Sequence, residues 1–300
     1  MKSFCFAFRF NHYKREGGKR EMSYVTTKEM LTKAQTGHYA IGAFNAENME
    51  MVQAIIAAAE KMKAPVMIQT TPGTLKYADP MIFAGMVSRL AQATSVPVAL
   101  HLDHGNSYDL AEYCVRQGYT SVMIDGSLLP FEENVALSRR VVEMAGEIPV
   151  EAELGTVGGK EDSHQASVAY TDPTQAEEFV RRTGIFSFAP AIGTAHGVYK
   201  AEPKLDLDRL SEIAKRVEIP LVLHGTSGVP DETVQECVHR GICKVNYATD
   251  LRITFTKAIQ AYLSENGNVI DPKKYEGAAR AAVAERVCEL IRVCGSEGKA

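Results

Sequence analysis

Three apolar runs in this chain end in a histidine followed by a glycine. Val98-Ala-Leu-His-Leu-Asp-His-Gly105 closes on His101, Asp103 and His104, Gly193-Thr-Ala-His-Gly197 closes on His196, and Leu221-Val-Leu-His-Gly225 closes on His224. Imidazoles and carboxylates at the ends of buried runs cost free energy unless something pairs with them, so a site is the first hypothesis. Three histidines that leave one or two positions for solvent or substrate are the usual arrangement around catalytic zinc. An acid such as Asp103 beside that ion suits proton exchange. Metal and acid together suit a bond broken or made next to a carbonyl, or hydrolysis by metal-activated water, and the residues alone do not choose. In an extended strand His101 and Asp103 share one side and His104 faces the other. For Asp103 and His104 to serve one centre the strand must bend at its end, which Gly105 permits. His101 then lies deeper, behind a ligand or in the core.

Further polar groups close other runs. Glu151-Ala-Glu153 places two acids on one side of a strand, either against the metal site, where one could orient a ligating histidine, or paired with a base on a neighbouring strand. The stretch from Gly155 to Gln165, with Gly155, Gly158 and Gly159, reads as a flexible loop long enough to cover the site and deliver Glu161. The plain alternative is an exposed charged loop. Two late stretches, His224-Gly-Thr-Ser-Gly228 and Asn246-Tyr-Ala-Thr-Asp250, offer backbone amides and the hydroxyls of Thr226, Ser227 and Thr249 to an anion, with Gly197, Gly225, Gly228 and Lys200 closing the cradle. Neither GxxxxGK[ST] nor GxGxxG stands beside them, so no nucleotide is implied.

These residues lie some two hundred positions apart, and only a repeating architecture can gather them. Short apolar runs, often introduced by proline, alternate with amphipathic segments. The pattern predicts strands at 40–45, 65–70, 97–103, 121–125, 149–154, 187–194, 220–224 and 243–246. Predicted helices fill 26–35, 47–63, 80–93, 107–117, 131–145, 173–183, 206–216, 231–240 and 250–264, with a further one at 272–293. Continuously apolar strands separated by helices indicate a parallel sheet covered on its outside. Eight such units predict a (β/α)8 TIM barrel with extra C-terminal helices, an open doubly wound sheet being the alternative. A barrel puts all eight C-terminal strand ends on one face, collecting Asn45, Gln69, Asp103, His104, Asp125, Glu153, His196, His224 and Asn246. No lysine stands at an interior strand end to form a Schiff base, which agrees with metal chemistry. The segment 272–293 exceeds what a barrel needs and would cap its bottom or side, or meet another subunit.

Composition narrows the class. Thirty-seven acidic against thirty-three basic residues give a formal charge of -4, with no general basic surface for nucleic acid. Six cysteines without CxxC spacing read as free thiols, mostly in packing, in a reducing and hence cytoplasmic setting. Residues 1 to 21, aromatic and then basic, lack the order of a secretory signal and read as a disordered extension or a misassigned start, with one domain over 22 to 300. No apolar run is long enough to span a membrane.

Taken together, His101-Leu-Asp-His-Gly105, Val150-Glu-Ala-Glu-Leu-Gly155 with Gly158-Gly-Lys-Glu-Asp162, Gly193-Thr-Ala-His-Gly197, Val222-Leu-His-Gly-Thr-Ser-Gly228 and Asn246-Tyr-Ala-Thr-Asp250 resemble the class II, zinc-dependent ketose-bisphosphate aldolases. The resemblance spans about 22 to 300, with its motifs in family order. It implies that His104, His196 and His224 hold one Zn2+, that Glu153 assists metal binding or movement, and that Asp103 exchanges the C4 hydroxyl proton. It implies that Glu161 transfers the proton at the dihydroxyacetone-phosphate carbon and that Asn246 contacts the enediolate. Gly197, Gly225, Ser227 and Thr249 match the holder of the ketone-side phosphate, near which family members also bind a monovalent cation, Na+ or K+. Arg280 matches an arginine reaching the distal phosphate across a subunit contact, which implies a homodimer or homotetramer. Thr71-Pro-Gly-Thr74, Thr226-Ser227 and Ala248 look like the tagatose-bisphosphate branch, whereas Ala279-Arg280-Ala281 resembles the fructose branch. The preferred expectation is tagatose 1,6-bisphosphate cleavage to dihydroxyacetone phosphate and glyceraldehyde 3-phosphate. Fructose-1,6-bisphosphate cleavage and a non-catalytic, aldolase-supporting subunit are the alternatives.

Overall fold

A computed structural model of the protein describes residues 23–161, 164–166, 169–199 and 203–300, the side chains of 159–161 and 164–166 lying outside the description. The expectations for residues 1 to 21 and for Lys200 also fall outside it. In chain order the described strands are β1 (Ile41–Asn45), β2 (Val66–Thr70), β3 (Val98–Gly105), β4 (Ser121–Ile124), β5 (Val150–Leu154), β6 (Gly158–Glu161), β7 (His164–Ala166), β8 (Ser187–Pro190), β9 (Ala195–His196), β10 (Leu221–Leu223) and β11 (Ile242–Tyr247). The helices are α1 (Thr27–Gly37), α2 (Met49–Met62), α3 (Pro72–Tyr77), α4 (Pro80–Ala91), α5 (Tyr108–Gln117), α6 (Phe131–Ala145), α7 (Pro173–Thr183), α8 (Leu207–Arg216), α9 (Asp231–His239), α10 (Thr249–Glu265) and α11 (Pro272–Val293).

Eight strands close a barrel in the order β1-β2-β3-β4-β5-β8-β10-β11, with β11 returning to β1, and every pair is parallel. The protein is a TIM barrel with added helices, and the open sheet is ruled out by the β11–β1 pairing of Ile41 with Lys244 and Ala43 with Asn246. Side-chain caps set several turns from strand to helix. Asn48 accepts from Met51 N at 3.0 Å, Ser107 from Leu110 N at 3.3 Å and Asp206 from Arg209 N at 2.9 Å, so each helix starts where an orphan amide finds an oxygen.

Strand periodicity sorts the core. Phe44, Leu100, Phe188, Val245 and Tyr247 face outward into a large cluster beneath the helices. Inward, a smaller cluster joins Ile41, Ala43, Met67 and Ala99 to Met30, Leu31 and Ala34 of α1. Helix α1 therefore plugs the barrel bottom, a role the sequence had offered to 272–293. Helix α11 instead packs along α2 and α10, and the segment after it ties Cys294 O to Ala40 N at 2.9 Å and Ala300 N to Lys63 O at 2.9 Å. Above the plug the interior turns polar, with His101, Asp103, Glu151, Glu153, Lys244 and Asn246 all buried. Cys114, Cys237, Cys243, Cys288 and Cys294 are free and buried, as their spacing implied.

Helix α3 and strands β6, β7 and β9 are additions to the sequence reading. Helix α3 stands where the sequence reading assigned no element, started by Thr71 as cap and Pro72 in the first turn. The glycine-rich stretch after β5 is not a plain loop: β6 and β7 pair antiparallel, and β6 pairs in parallel with β9.

Candidate active site

Strand β3 bends where the chemistry requires it, at His104 itself. Its φ is 49°, in the left-handed region that L residues seldom adopt, and the register with β4 shifts between Leu102 and Gly105. Gly105, expected to supply the bend, serves by its size instead: a Cβ there would collide with Met123 O. The turn at His104 brings its ring to the same side as Asp103. Backbone strain of this kind costs about 1–3 kcal/mol and persists where surrounding contacts hold it. Here the holder is Asp125, whose Oδ2 accepts from His104 Nδ1 at 2.9 Å.

The three histidines converge. His224, just past β10, donates from Nε2 to Glu151 Oε1 at 2.8 Å and turns Nδ1 toward His104 Nε2, 3.0 Å away. With both outer nitrogens facing carboxylates, the inner nitrogens face each other, an arrangement that a proton or a metal cation between them relieves. His196, carried by β9 rather than by a barrel strand, sets its ring edge-on to His104 with centroids 4.8 Å apart. One ligand nitrogen from each of the three lies within 4.8 Å of the others. Two nitrogens on a tetrahedral zinc sit about 3.4 Å apart given Zn–N near 2.0–2.1 Å, so the spacing suits one ion. Glu153 Oε2, buried without a hydrogen bond and 3.4 Å from His224 Nδ1, adds an acceptor facing the same point. His104, Asp125 and Glu153 form a second, overlapping group. These residues fit a divalent cation.

The electrostatics agree. Burial disfavours the imidazolium of His104, but Asp103 and Asp125 outweigh it and raise its pKa well above the usual value. His224 is raised likewise against burial, by Glu151 and Glu153. His196 is held well below its usual value by burial and by the other two histidines. Four carboxylates around three imidazoles make a pocket that favours positive charge.

Asp103 faces the same pocket. Its Oδ2 accepts from Asn45 Nδ2 and its Oδ1 from Asn246 Nδ2, each at 3.0 Å, while Asn45 Oδ1 accepts from Gln69 Nε2 at 2.7 Å. Burial pushes this carboxyl up, yet His104, His224, Lys244 and His101 together bring it down to about 2. It is a carboxylate at neutral pH, with both oxygens oriented by amides. The cleft above it, about 280 Å³, is lined by Asn45, Asp103, His104, His196, Asn246 and Thr249, together with Gly197, Gly225, Thr226, Ser227 and Ala248.

Those last residues are the ones expected to form an anion cradle. Gly197 and Gly225 have φ of 93° and 64°, and a Cβ on Gly225 would lie 2.8 Å from the Ala195 carbonyl. Ser227 Oγ accepts from Asp250 N at 3.2 Å, and Thr226 Oγ1 donates to Asn246 O, which locks the loop after β10 onto the start of α10. Gly228 is exposed and stands outside the cleft lining, against Tyr199.

Over residues 25–299 the chain matches the family model described as fructose-bisphosphate aldolase class-II. The chain belongs to the class II fructose-bisphosphate aldolase family. Among solved structures it is similar to the YdjI aldolase of Escherichia coli K12, at 38% identity and TM-score 0.82, covering 92% of this chain and 99% of that one. It is also similar to the fructose-bisphosphate aldolase Fba of Campylobacter jejuni, at 25% identity and TM-score 0.79, covering 93% and 97%. The protein is thus an aldolase, a lyase of carbon–carbon bonds.

Not every expected residue of this aldolase joins the cleft. Glu161 closes β6 two residues past Gly159, which pairs with His196, and its own side chain lies outside the description. Arg280 sits on α11, 2.5 Å from Gln53 Oε1 of α2, away from the residues lining the cleft of its own chain. The structure also adds groups the sequence reading left unassigned. Tyr199 accepts from Ala195 N at 2.6 Å and donates to Gly225 O at 2.7 Å, joining β9 to the loop after β10, and nothing local in the sequence marks it. Lys244 is an interior lysine that the sequence reading left unassigned, and it stands within β11 rather than at the strand end where a Schiff-base lysine was looked for. It lies inside the barrel below the cleft, 2.9 Å from Glu151 Oε2, and the sign was a charge of the same strand parity as Asn246 within an apolar run.

Proposed function

We propose that this aldolase cleaves a ketose 1,6-bisphosphate, with tagatose 1,6-bisphosphate preferred over the fructose epimer, using one Zn2+ held by His104, His196 and His224 with Glu153 beside them. The observation that carries this reading is the convergence of three ligand nitrogens next to an oriented, ionised Asp103 in one cleft. Bound zinc would supply a Lewis acid for the C2 carbonyl of the substrate. Asp103 accepts the C4 hydroxyl proton as the C3–C4 bond breaks, and glyceraldehyde 3-phosphate leaves. Asn45 and Asn246 hold the Asp103 oxygens toward that proton, and Asn246 Oδ1, buried without a hydrogen bond, is free to meet the substrate. Glu161 returns a proton to C3 and completes dihydroxyacetone phosphate. Gly197, Gly225, Thr226, Ser227 and Thr249 hold the ketone-side phosphate by amides and hydroxyls, with Lys200 closing the cradle and Na+ or K+ bound nearby.

Arg280, remote from the cleft of its own chain, would reach the distal phosphate in a second protomer, which makes a homodimer or homotetramer the working assembly. The domain runs from residue 22 to 300, and the enzyme works in the cytoplasm; among the described residues no helix is long and apolar enough to cross a membrane. Preference for tagatose is supported by Ala248 and Thr226 in the cleft lining. The test compares kcat/KM for the two bisphosphates before and after chelation. The tagatose epimer should give the higher value, a chelator should abolish turnover, zinc should restore it, and His196→Ala should lose metal and turnover together. Full turnover by metal-free protein would refute the metal reading, and no turnover on either sugar would mark a supporting subunit.

A further inference from the structure

Beneath the cleft lies a lysine that no step of this cleavage uses. Lys244 is 1% exposed, and its Nζ lies 2.9 and 3.1 Å from the two oxygens of Glu151 and 3.4 Å from His101 Nε2. The same Glu151 accepts from His224 Nε2 at 2.8 Å, and Ser187 Oγ approaches its other oxygen at 3.5 Å. Taking two opposite charges out of water is costly, and apolar residues of similar volume would often hold a barrel together as well or better. Stability therefore does not account for this pair, but its position does. An imidazole binds a metal through the nitrogen that its other hydrogen bond leaves bare, so whatever orients the outer acceptor orients the ligand.

At His104 the outer acceptor is Asp125, 24% exposed at its side chain and steadied by Ser127 N at 3.0 Å. At His224 the outer acceptor is Glu151, in the barrel interior, where Lys244 grips both oxygens at once.

We propose that Lys244 is a positioning residue for the metal site. By gripping both Glu151 oxygens it aims Oε1 at His224 Nε2, and thereby turns His224 Nδ1 toward the centre shared with His104 and His196. The inference rests on the reading of those three histidines as zinc ligands. Lys244 itself touches neither substrate nor ion.

The experiment measures zinc affinity of the full-length protein by competition with a chromophoric chelator, for wild type, Lys244→Met, Glu151→Gln and the double variant, alongside thermal melts. Lys244→Met and Glu151→Gln should each weaken zinc binding by about 10–100-fold, the usual cost of losing an outer partner of a ligating histidine. The double variant should bind zinc within about twofold of Glu151→Gln, because residues acting through one contact are not additive. Should Lys244→Met not fold, Lys244→Gln, which keeps a neutral donor for Glu151, replaces it under the same criteria. Unchanged zinc affinity with a lower melting point would show that Lys244 only braces the barrel, and costs that multiply in the double variant would show that it does not act through Glu151. Either result overturns the inference while the metal site stands. Wild-type protein that binds no zinc overturns the metal reading itself, and this inference with it.

Discussion

Asp103 combines two properties that are hard to combine in a buried carboxyl. It is enclosed, yet ionised near neutrality because the surrounding bases outweigh burial and bring it to about 2. Asp103→Ala should keep zinc, since it is outside the histidine set, and lose about 10²–10⁴-fold in kcat, the range for a general acid or base, as read by metal analysis and steady-state rates. His101 shows the opposite balance. Burial first, and then Lys244, lower it to about 3, so it is neutral when folded. Its Nε2 faces an ammonium that can only donate, which puts the proton on Nδ1 toward Ser121 Oγ at 2.8 Å. Between pH 6.5 and 3 the unfolded chain then binds one more proton here than the folded chain. Stability should fall as pH drops through that window, by up to about 1.4 kcal/mol per unit from this residue. Denaturant melts of metal-free His101→Gln should show a flatter slope from pH 6.5 downward than wild type, before carboxylates such as Glu151, held well below their usual value, begin to titrate. Histidines and acids closing apolar runs were legible because such residues rarely end a buried strand without purpose. Lys244 was not, because a single charge inside a run is compatible with an exposed edge until the opposite wall of the barrel is known.

At the scale of elements, the site depends on loops pressed together rather than on strands alone. The loop after β10 lies against the backbone of β9, and Gly225 is where they touch, with φ 64° and no room for a Cβ beside Ala195. Gly225→Ala should cost about 1–3 kcal/mol through forced strain and raise KM for a bisphosphate, because the loop that shifts is the one proposed to hold the substrate phosphate. Thermal melts and initial rates check both. The strand-to-helix turns were readable from the switch between apolar runs and amphipathic segments. The β6–β7 hairpin was not, since glycines and charges without alternation carry no strand period, and its pairing with β9 is a long-range contact.

At the scale of the whole molecule, closure and plugging act together. A parallel barrel open at the bottom would wet Ile41, Met67 and Ala99, and α1 prevents this by burying Met30, Leu31 and Ala34 against them. Leu31, 1% exposed, has no second face to relax into. Leu31→Ala should destabilise by about 2–5 kcal/mol, seen as a lower urea midpoint at unchanged slope. Which helix would do the plugging was undecidable from amphipathic stripes, because α1 and α11 both carry one. Chain order does not say which end of a barrel a stripe meets.

The sequence by itself determined the alternation of strand and helix, the eight-unit count that a barrel needs, and the identity of the residues at the strand ends, because side-chain periodicity and caps are local properties of the chain. Only the tertiary structure decided that His104 adopts a left-handed turn, that His196 rides on a hairpin sheet instead of a barrel strand, and that Lys244 meets Glu151 inside the barrel. Those facts depend on which groups face one another across a closed sheet, and a buried charge or a strained backbone is tolerated only where distant residues hold it in place.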